Sequence, residues 1–405
     1  MLSLGESEFT PQWAVHVNRY GPTGMRLTAR QLNRSLLQRQ WLLARQVATP
    51  ADALRAILAL QAQEPPSPYL ALWNRLDGFA AEHLDGALAD VTAVRATLVR
   101  IALHIVHADG YTTMHAAMSN NLRASRLNDR RFTEPGFTKA DADEHLAALL
   151  EFTAEPRTAD EIIDMLRPLV PGRDAAKLWW AYRTFAPLRY VPVGPPWSFD
   201  VKDRNFQTAP ADPPRPAHEE ALGRLLWRYL EAFGPATAKD FGQFAMQRKP
   251  SVDTALQQVG DRLVHHEGPN GEPLLDVPHG AVATGEEPAP PRLLGMWDNV
   301  HLAHVDRTRT LDDDVRPHVI RRNGDTLPTV LVDGRVIGVW RTTPEGAVEA
   351  RLFREPDDDA AEALTTEASA LSTFLATRTH AIYRRYDHWW ADLPGRATVL
   401  HSPAG

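Results

Sequence analysis

The stretch AVRATLVRIALHIVH, from Ala93 to His107, decides how this chain is organised. Its two halves, Ala93–Leu98 and Ile101–His107, are rich in apolar and β-branched residues and predict two paired strands. The residues before it carry a different pattern, because apolar side chains recur there three and four positions apart, as on one face of a helix. Several helices followed by a two-stranded ribbon is the order of elements in a winged helix.

Four helices are predicted before this ribbon. Thr28 caps the first, since a Gln follows three residues later and completes a capping box. Thr49-Pro50 opens the second, with Pro at the first helical position, and its apolar pattern continues to Leu60. Pro68 begins a third helix, and a fourth covers about Ala80–Leu88. This segment therefore predicts a complete helical unit with a β-ribbon at its end.

The same order recurs twice along the chain. Helical patterns followed by strand-like runs appear at 140–152, 158–165, 174–185 and 188–193, and again at 218–233, 237–245, 251–260, 262–266 and 273–277. We therefore predict a mainly α fold with β-hairpins (α+β), made of three tandem winged-helix domains in a curved, C-shaped arrangement with a C-terminal β-element. The predicted segments are an N-terminal extension at 1–25, winged helices at 26–135, 136–208 and 217–285, and a C-terminal part at 292–405.

The C-terminal part predicts a β-meander. Three β-branched or alternating runs are separated by Asn-Gly and Asp-Gly dipeptides, which are the strongest short hairpin signals. The runs are Val315–Arg321, Thr326–Val332 and Arg335–Arg341, joined at Asn323-Gly324 and Asp333-Gly334. A closing helix is predicted over Asp357–Tyr386.

Composition limits the classes of function. The net charge of −7 excludes a uniformly basic surface, but residues 1–135 hold 14 Lys/Arg against 11 Asp/Glu while residues 136–300 hold 17 against 24. A nucleic-acid-binding face must therefore be local. The chain has no Cys and no run of about 18 apolar residues, so we expect a cytoplasmic protein without disulfides, thiolate metal sites or a membrane partner.

Two glutamines stand out at Leu58–Trp73, LALQAQEPPSPYLALW, where Gln61 and Gln63 lie one residue apart at a predicted helix end. A polar, solvated helix end is the ordinary explanation for such residues. The other explanation is a pair of amides held over a reacting bond. The residues alone leave both open.

Several segments together resemble a known family, the tandem winged-helix DNA glycosylases typified by the azinomycin-resistance enzyme of antibiotic-producing bacteria. The matching segments are Arg26–Arg34 with Arg39–Leu43, Leu60–Gln63, Arg100–His104 with Asp109, Asp298–Arg309 and Val330–Trp340. The resemblance covers roughly residues 26–386 and depends on the order and joint presence of these motifs. Ala102 stands where the family usually has Thr, so one hydroxyl contact of the pocket is missing.

The resemblance implies hydrolysis of the N-glycosidic bond of alkylated purines in duplex DNA, including bulky N7-guanine adducts and interstrand crosslinks. N7 alkylation leaves guanine cationic, so the leaving group is already activated, and the protein must position a water and stabilise charge. Gln61 and Gln63 are then the predicted catalytic residues, with a carbonyl accepting from the water and an NH₂ donating to DNA. Glu64 is a candidate hidden base, or else a cap or surface salt bridge.

Other residues are predicted to support this site. His104 would shape the pocket or contact DNA, although a lone strand histidine is more often a hydrogen-bonded core residue. Asp109 would orient His104 or cap the next helix. Arg95 and Arg100 lie on or beside the predicted ribbon and are candidate phosphate contacts, with solvated surface as the alternative.

Arg321 and Arg322 precede Asn323-Gly324 at the predicted hairpin tip. Two cations there suit contact with a DNA groove or backbone, and the family's basic C-terminal hairpin favours this over simple protection of an edge strand. Arg307 and Arg309 are weaker candidates for the same surface.

The sequence points to no metal and no organic cofactor, and no Lys lies near the glutamines to form a Schiff base, which favours a monofunctional, hydrolytic glycosylase. We expect a nucleoid-associated monomer that acts in repair or in self-resistance to a DNA-alkylating antibiotic. Two alternatives remain. One is a non-catalytic winged-helix regulator, which should bind undamaged DNA as a symmetric dimer. The other is a toxin-sequestering protein, which would bind the toxin without DNA.

Overall fold

Helices and β-strands alternate along the first third of the chain in the computed structural model, which describes residues 23–199 and 204–402. The predicted N-terminal extension therefore lies almost wholly outside the described residues. Its last three residues, 23–25, belong to a strand. The elements of this region are β1 (Thr23–Arg26), α1 (Ala29–Arg39), α2 (Pro50–Ile57), β2 (Leu60–Gln61), α3 (Ser67–Trp73), α4 (Ala81–Ala89), β3 (Ala93–Thr97), β4 (Leu103–His107), α5 (Ala108–Leu127) and α6 (Arg130–Thr133).

The starts of α1 and α2 confirm the predicted caps, because Thr28 and Thr49 each accept from the third helical amide in a reciprocal capping box. The end of α2 does not follow the prediction. The helix stops at Ile57, Leu58 has a φ of 75°, and Leu60 pairs with β4 instead of continuing the helix. A short buried apolar run fits a strand as well as a helix, so the apolar spacing up to Leu60 did not distinguish the two.

The middle of the chain repeats helices followed by strands, as predicted. Its elements are α7 (Lys139–Glu144), α8 (Leu146–Phe152), β5 (Arg157–Thr158), α9 (Ala159–Leu166), α10 (Ala175–Phe185), β6 (Leu188–Val191), β7 (Asn205–Thr208), α11 (His218–Phe233), α12 (Ala238–Phe244), α13 (Lys249–Val259), β8 (Val264–Glu267) and β9 (Pro273–Asp276).

The first two predicted units share one sheet. Its six strands run in the order β2-β4-β3-β6-β7-β5, and β3 meets β6 where Arg95 lies opposite Tyr190. The sheet thus crosses the boundary predicted at 135/136. A second sheet has the order β1-β8-β9, with β1 parallel to β8.

The C-terminal part forms a five-stranded antiparallel sheet and two α-helices. Its elements are β10 (Arg292–Leu294), α14 (Arg316–Val319), β11 (Thr329–Val332), β12 (Arg335–Thr342), β13 (Val348–Leu352), α15 (Asp358–Ala376) and β14 (Arg396–His401), with the strands in numerical order.

Two predictions for this part were wrong. The strand expected at Val315–Arg321 is the short helix α14, because Pro317 fits a first helical turn and would remove a ladder hydrogen bond from a strand. The closing helix ends at Ala376 instead of Tyr386. A continuous core that includes Tyr69, Tyr182 and Trp340 packs the helical regions against the C-terminal sheet.

The Asp333-Gly334 turn between β11 and β12 confirms its hairpin signal and also contacts α1. Asp333 and Gly334 have φ values of 46° and 72°, and the Asp333 carboxylate pairs with Arg34, whose side chain is 1% exposed. A Cβ added at Gly334 would lie 2.6 Å from Leu37 Cδ1. The turn therefore needs Gly both for its backbone and for its packing.

We expect Gly334→Ala to lower the free energy of unfolding by about 2–4 kcal/mol, since positive φ and overpacking both contribute. Gly324→Ala is the matched control, because Gly324 has a φ of 90° but a Cβ added there would have no other atom within 4 Å. It should cost only about 1–2 kcal/mol. Urea unfolding of both variants measures the difference, and equal losses would show that the contact with α1 is unimportant.

Candidate active site

Gln61 ends the two-residue strand β2 at the edge of the six-stranded sheet, opposite His104 of β4. The next residue, Ala62, continues the ladder by donating to the Leu103 carbonyl at 2.7 Å and is fully buried. Beyond Ala62 the chain leaves the sheet and bends at Gln63 and Glu64. Gln61 is half-buried and Gln63 is exposed, so the segment presents two amides at a strand end and not at the predicted helix end.

Arg100 fixes the orientation of the Gln61 side chain. Its Nη2 donates to Gln61 Oε1 at 2.7 Å and to Asn299 Oδ1 at 2.8 Å. Because a guanidinium carries only donors, the Gln61 atom that faces it must be the oxygen. The Gln61 NH₂ group is therefore the one left to act on another molecule. Arg100 itself lies in the turn between β3 and β4 with a φ of 55°.

His104 lies beneath this contact as a neutral, hydrogen-bonded core residue. It is 0% exposed, its Nδ1 lies 3.0 Å from the Ala102 carbonyl, and its Nε2 lies 3.2 Å from Arg100 Nη2. Burial first, and then the charge of Arg100, lowers the pKa of His104 to about 3. The neutral ring thus donates through Nδ1 and accepts through Nε2. His104 is thus enclosed beneath Gln61 and has no exposed surface with which to contact DNA.

Arg95 is also inside the protein, so the predicted surface position is wrong. It is 3% exposed, donates to the Ala62 carbonyl at 2.9 Å and lies over the rings of Tyr190 and Phe199, with 4.3 Å to the second ring. A planar guanidinium can stack on aromatic rings and bond a carbonyl without a carboxylate partner. Arg95 therefore holds the backbone of the glutamine segment from inside the protein, and Arg100 holds its first side chain.

Glu64 is buried although it directly follows the exposed Gln63. Its carboxylate pairs with Arg385 and accepts from the Tyr386 hydroxyl at 3.3 Å, and the residue is 7% exposed. Burial raises the pKa of Glu64, while Arg385 and then Tyr386 oppose that change. Glu64 therefore forms the salt bridge of the simpler interpretation, but its carboxylate is buried and not at the surface.

Asp109 does not orient His104. It lies exposed in the first turn of α5, where its carboxylate is 3.0 Å from Arg55 Nη2 and 3.4 Å from His107 Nδ1. The cap of α5 is His107, whose ring accepts from the Asp109 amide. An acidic side chain at a helix start interacts favourably with the helix dipole, which explains Asp109 without a part in the site.

The loop that carries Arg321 and Arg322 connects α14 to β11 and is closed by the bridge between Ile320 and Thr326. Arg322 is exposed, whereas Arg321 lies over the Trp389 ring at 4.3 Å. Both cations therefore lie in a tight loop, but their side chains differ in exposure to solvent. Only one of them extends freely into solvent.

A chain of contacts joins this loop to Glu64. Trp297 Nε1 donates to the Gly324 carbonyl at 3.0 Å, and its ring meets the edge of the Tyr386 ring at 5.7 Å. Tyr386 in turn donates to Glu64. Asn299, Trp297, Arg385 and Tyr386 were not predicted as site residues. Only the first two offer a signal in the sequence, since they lie in or beside the motif that begins at Asp298.

A narrow cleft lies between Gln61 and the segment 295–299, with a volume of about 10 Å³, which is room for about one water molecule. This is far below the range of about 300–1,000 Å³ typical of ligand pockets, so the cleft does not enclose a base with a bulky adduct. Asp141 and Glu144 on α7 and His145 directly after it are close enough to share a metal ion, but Asp141 already accepts from the Thr138 amide and hydroxyl and pairs with Arg173 at 2.8 Å. The residues around Gln61 instead offer amide donors and a buried carboxylate.

No helix in the described ranges is long and apolar enough to cross a membrane.

The chain is similar to known proteins over most of its length. The model of a family described as "DNA glycosylase AlkZ-like" matches residues 54–374, which is most of the chain. An interstrand DNA cross-link repair glycosylase of Streptomyces sahachiroi is 24% identical over 342 residues, covering 80% of this chain and 90% of that protein. The solved structure of the Streptomyces sahachiroi DNA glycosylase AlkZ has the same fold, with a TM-score of 0.72 at 22% identity over 92% of this chain and 100% of that one. From the family match, this chain belongs to the AlkZ-like DNA glycosylases.

Proposed function

We propose that the protein is a monofunctional DNA glycosylase that hydrolyses the N-glycosidic bond of N7-alkylguanine, including bulky adducts and interstrand crosslinks in duplex DNA. Such an activity would serve repair or self-resistance to a DNA-alkylating antibiotic. The observation that carries the proposal is the segment Gln61–Glu64, where two amides precede a buried carboxylate and two inward-facing arginines hold the backbone and first side chain.

The proposed chemistry uses these groups in different ways. Cleavage of the bond between the sugar C1′ and the purine N9 leaves the bonding electrons on the cationic base, which departs neutral, and positive charge develops on the sugar. Water then adds to C1′ and releases a proton. Because Arg100 occupies the Gln61 oxygen, Gln61 serves as a donor to DNA, and Gln63 and Glu64 position the water and accept its proton.

DNA would reach this site across the loop of Arg321 and Arg322. We propose that the three helix–strand units are tandem winged helices curved around the duplex and that the exposed Arg322 contacts its backbone or groove. A bulky adduct exceeds the cleft beside Gln61, so we propose that it reacts without complete extrusion of the base. An adduct-bound structure with a fully extruded base would contradict that part.

The direct test is base release. Purified protein is incubated with duplex DNA carrying 7-methylguanine or a bulky N7-guanine adduct, and abasic sites are scored by alkaline cleavage, with undamaged duplex as control. We expect release from the damaged duplexes alone. Absence of release from every adduct would overturn the proposal. Sequence-specific binding of undamaged DNA would then favour a regulator, and toxin binding without DNA a sequestering protein.

The pH dependence of base release tests the place of Glu64. If its carboxylate accepts the proton of the water, the rate should fall as the pH drops through a pKa above the ordinary Glu value, because the active form is the ionised one. Glu64→Gln should remove that acid limb and slow release about 10²–10⁴-fold. Glu367→Gln is a matched control, since Glu367 is another largely buried carboxylate paired with an arginine, at 2.7 Å. An unchanged profile in Glu64→Gln would leave Gln63 as the group that holds the water.

A further inference from the structure

The inward-facing arginines of this protein fall into two groups. In one group each guanidinium lies within 4 Å of a carboxylate, and its members are Arg34, Arg39, Arg75, Arg292 and Arg378. Arg100 and Arg307 belong to the other group, for which the described residues provide no carboxylate at that distance. Arg100 donates to Gln61, and Arg307 lies on the other side of Arg100, beside the end of α12.

Arg100 and Arg307 meet at the end of α12. The Arg100 guanidinium stands over the Phe244 ring at 5.2 Å. Arg307 Nη2 donates at 3.3 Å to the side-chain oxygen of the neighbouring Gln243, in the amide orientation that also lets the Gln243 NH₂ donate to the His304 carbonyl. Burial, followed by the charge of Arg307, lowers the pKa of Arg100 to about 9. Both remain cationic at neutral pH.

Several of their N–H groups have no acceptor. Among the described residues, Arg100 Nη1 and Arg307 Nε and Nη1 are buried without a hydrogen-bond partner. The carboxylate of Asp240 lies near enough to favour the Arg307 cation, but it bonds neither arginine and accepts from the Thr237 and Val305 amides at 2.8 and 2.7 Å. Two neighbouring buried cations with unpaired donors are costly for a protein to hold, unless a ligand completes them.

The unpaired donors and the lack of a carboxylate partner indicate the chemistry of that ligand. It must carry negative charge, and it must supply more than one acceptor oxygen to donors that are arranged as guanidinium forks. A phosphate group has both properties. We propose that Arg100 and Arg307 form a binding site for one backbone phosphate of the DNA next to Gln61, an inference that rests on the proposed glycosylase function.

Binding at this site should affect the reaction as well as affinity. Arg100 contacts Gln61 directly, so its uncompensated charge lies close to the place where positive charge develops on the sugar. Two unpaired cations there oppose the transition state, whereas a bound phosphate cancels their charge. Occupancy of the site therefore raises the rate of bond cleavage.

The test replaces single phosphates of a 7-methylguanine duplex with neutral methylphosphonate, one position at a time around the lesion. At one position the single-turnover rate at saturating enzyme should fall about 10–100-fold. With Arg307→Gln the same replacement should have little further effect, because the partner of that phosphate is already gone. With Arg322→Gln, the control at the exposed loop, the two losses should multiply. Multiplying losses with Arg307→Gln at every position would overturn the site.

A second measurement separates this proposal from the proposed function. Inorganic phosphate should raise the thermal midpoint of the wild type more than that of Arg307→Gln at equal ionic strength. Equal shifts in both would count against the site even if base release is normal. A larger wild-type shift would support the site even if no adduct is released. If Arg307→Gln does not fold, the methylphosphonate series with the wild-type protein still tests the proposal. If no phosphate position is sensitive to the replacement, the site does not exist.

Discussion

Replacing Gln61 with Glu is expected to slow base release about 10²–10³-fold while DNA binding is largely kept, the loss typical of removing one donor to the transition state. The carboxylate keeps the oxygen that accepts from Arg100 at 2.7 Å and removes the NH₂ group that faces outward. The same change gives Arg100 a counter-charge, so the variant should be at least as stable as the wild type. Gln61→Ala should lose activity to a similar degree but gain no stability.

Single-turnover release and thermal unfolding, measured on the same preparations, check this prediction. Gln207→Glu is the matched control, because Arg189 Nη2 donates to Gln207 Oε1 at 2.6 Å on β7 in the same Arg–Gln arrangement. That variant should keep full activity. An active Gln61→Glu enzyme would mean that Gln61 works through its oxygen as a water clamp, and the assignment of the amide as a donor would have to be abandoned.

Removal of Asp298 is expected to lower the free energy of unfolding by about 3–5 kcal/mol, because it leaves a charged partner buried and unpaired. Asp298 accepts two bonds from Arg75, both at 2.8 Å, and both side chains are 1% exposed. Asp298 also lines the cleft beside Gln61. Loss of activity in Asp298→Ala would therefore follow from misplacement of the segment 295–299.

Urea unfolding of Asp298→Ala gives the size of this effect, and Asp164→Ala is its control. Asp164 pairs with Arg167 at the same 2.8 Å, but the two side chains are 66% and 67% exposed. Its loss should cost at most about 1 kcal/mol, as for other surface pairs. The double variant Asp298→Ala with Arg75→Met should recover part of the stability. Equal costs at the buried and the exposed pair would contradict the account.

Local signals in the sequence predicted local structure well. The caps at Thr28 and Thr49 start helices where expected, because a cap satisfies amides within its own first turn. The Asp333-Gly334 dipeptide turns the chain between two strands for a similar reason. Such features depend on neighbouring residues alone.

Features that depend on distant residues were harder to predict. The apolar run at Leu58–Leu60 leads into a sheet because β4 pairs with Leu60. The spacing of apolar residues in a segment cannot show which distant strand will pair with it. Arg95 was expected at the surface, yet its place is decided by Tyr190 and Phe199, about a hundred positions further on. The ionic partner of Glu64 comes from the last part of the chain.

The candidate site shows the same division. The glutamines were selected through a resemblance between segments, whereas Arg100, Asn299 and Tyr386 acquire their contacts only when the chain folds. The catalytic roles of Gln61 and Gln63 stay predictions that the variants above will test. Their surroundings already limit what each amide can do.

The six-stranded sheet has a consequence for how the protein can be divided. A cut after residue 135 would leave β3 without its neighbour β6 and would uncover a strand edge beside the buried Arg95. Bare strand edges recruit other chains, so the separated halves should self-associate instead of folding as independent modules. We therefore expect the first and second units to fold together, since neither can close its own edge of this sheet alone.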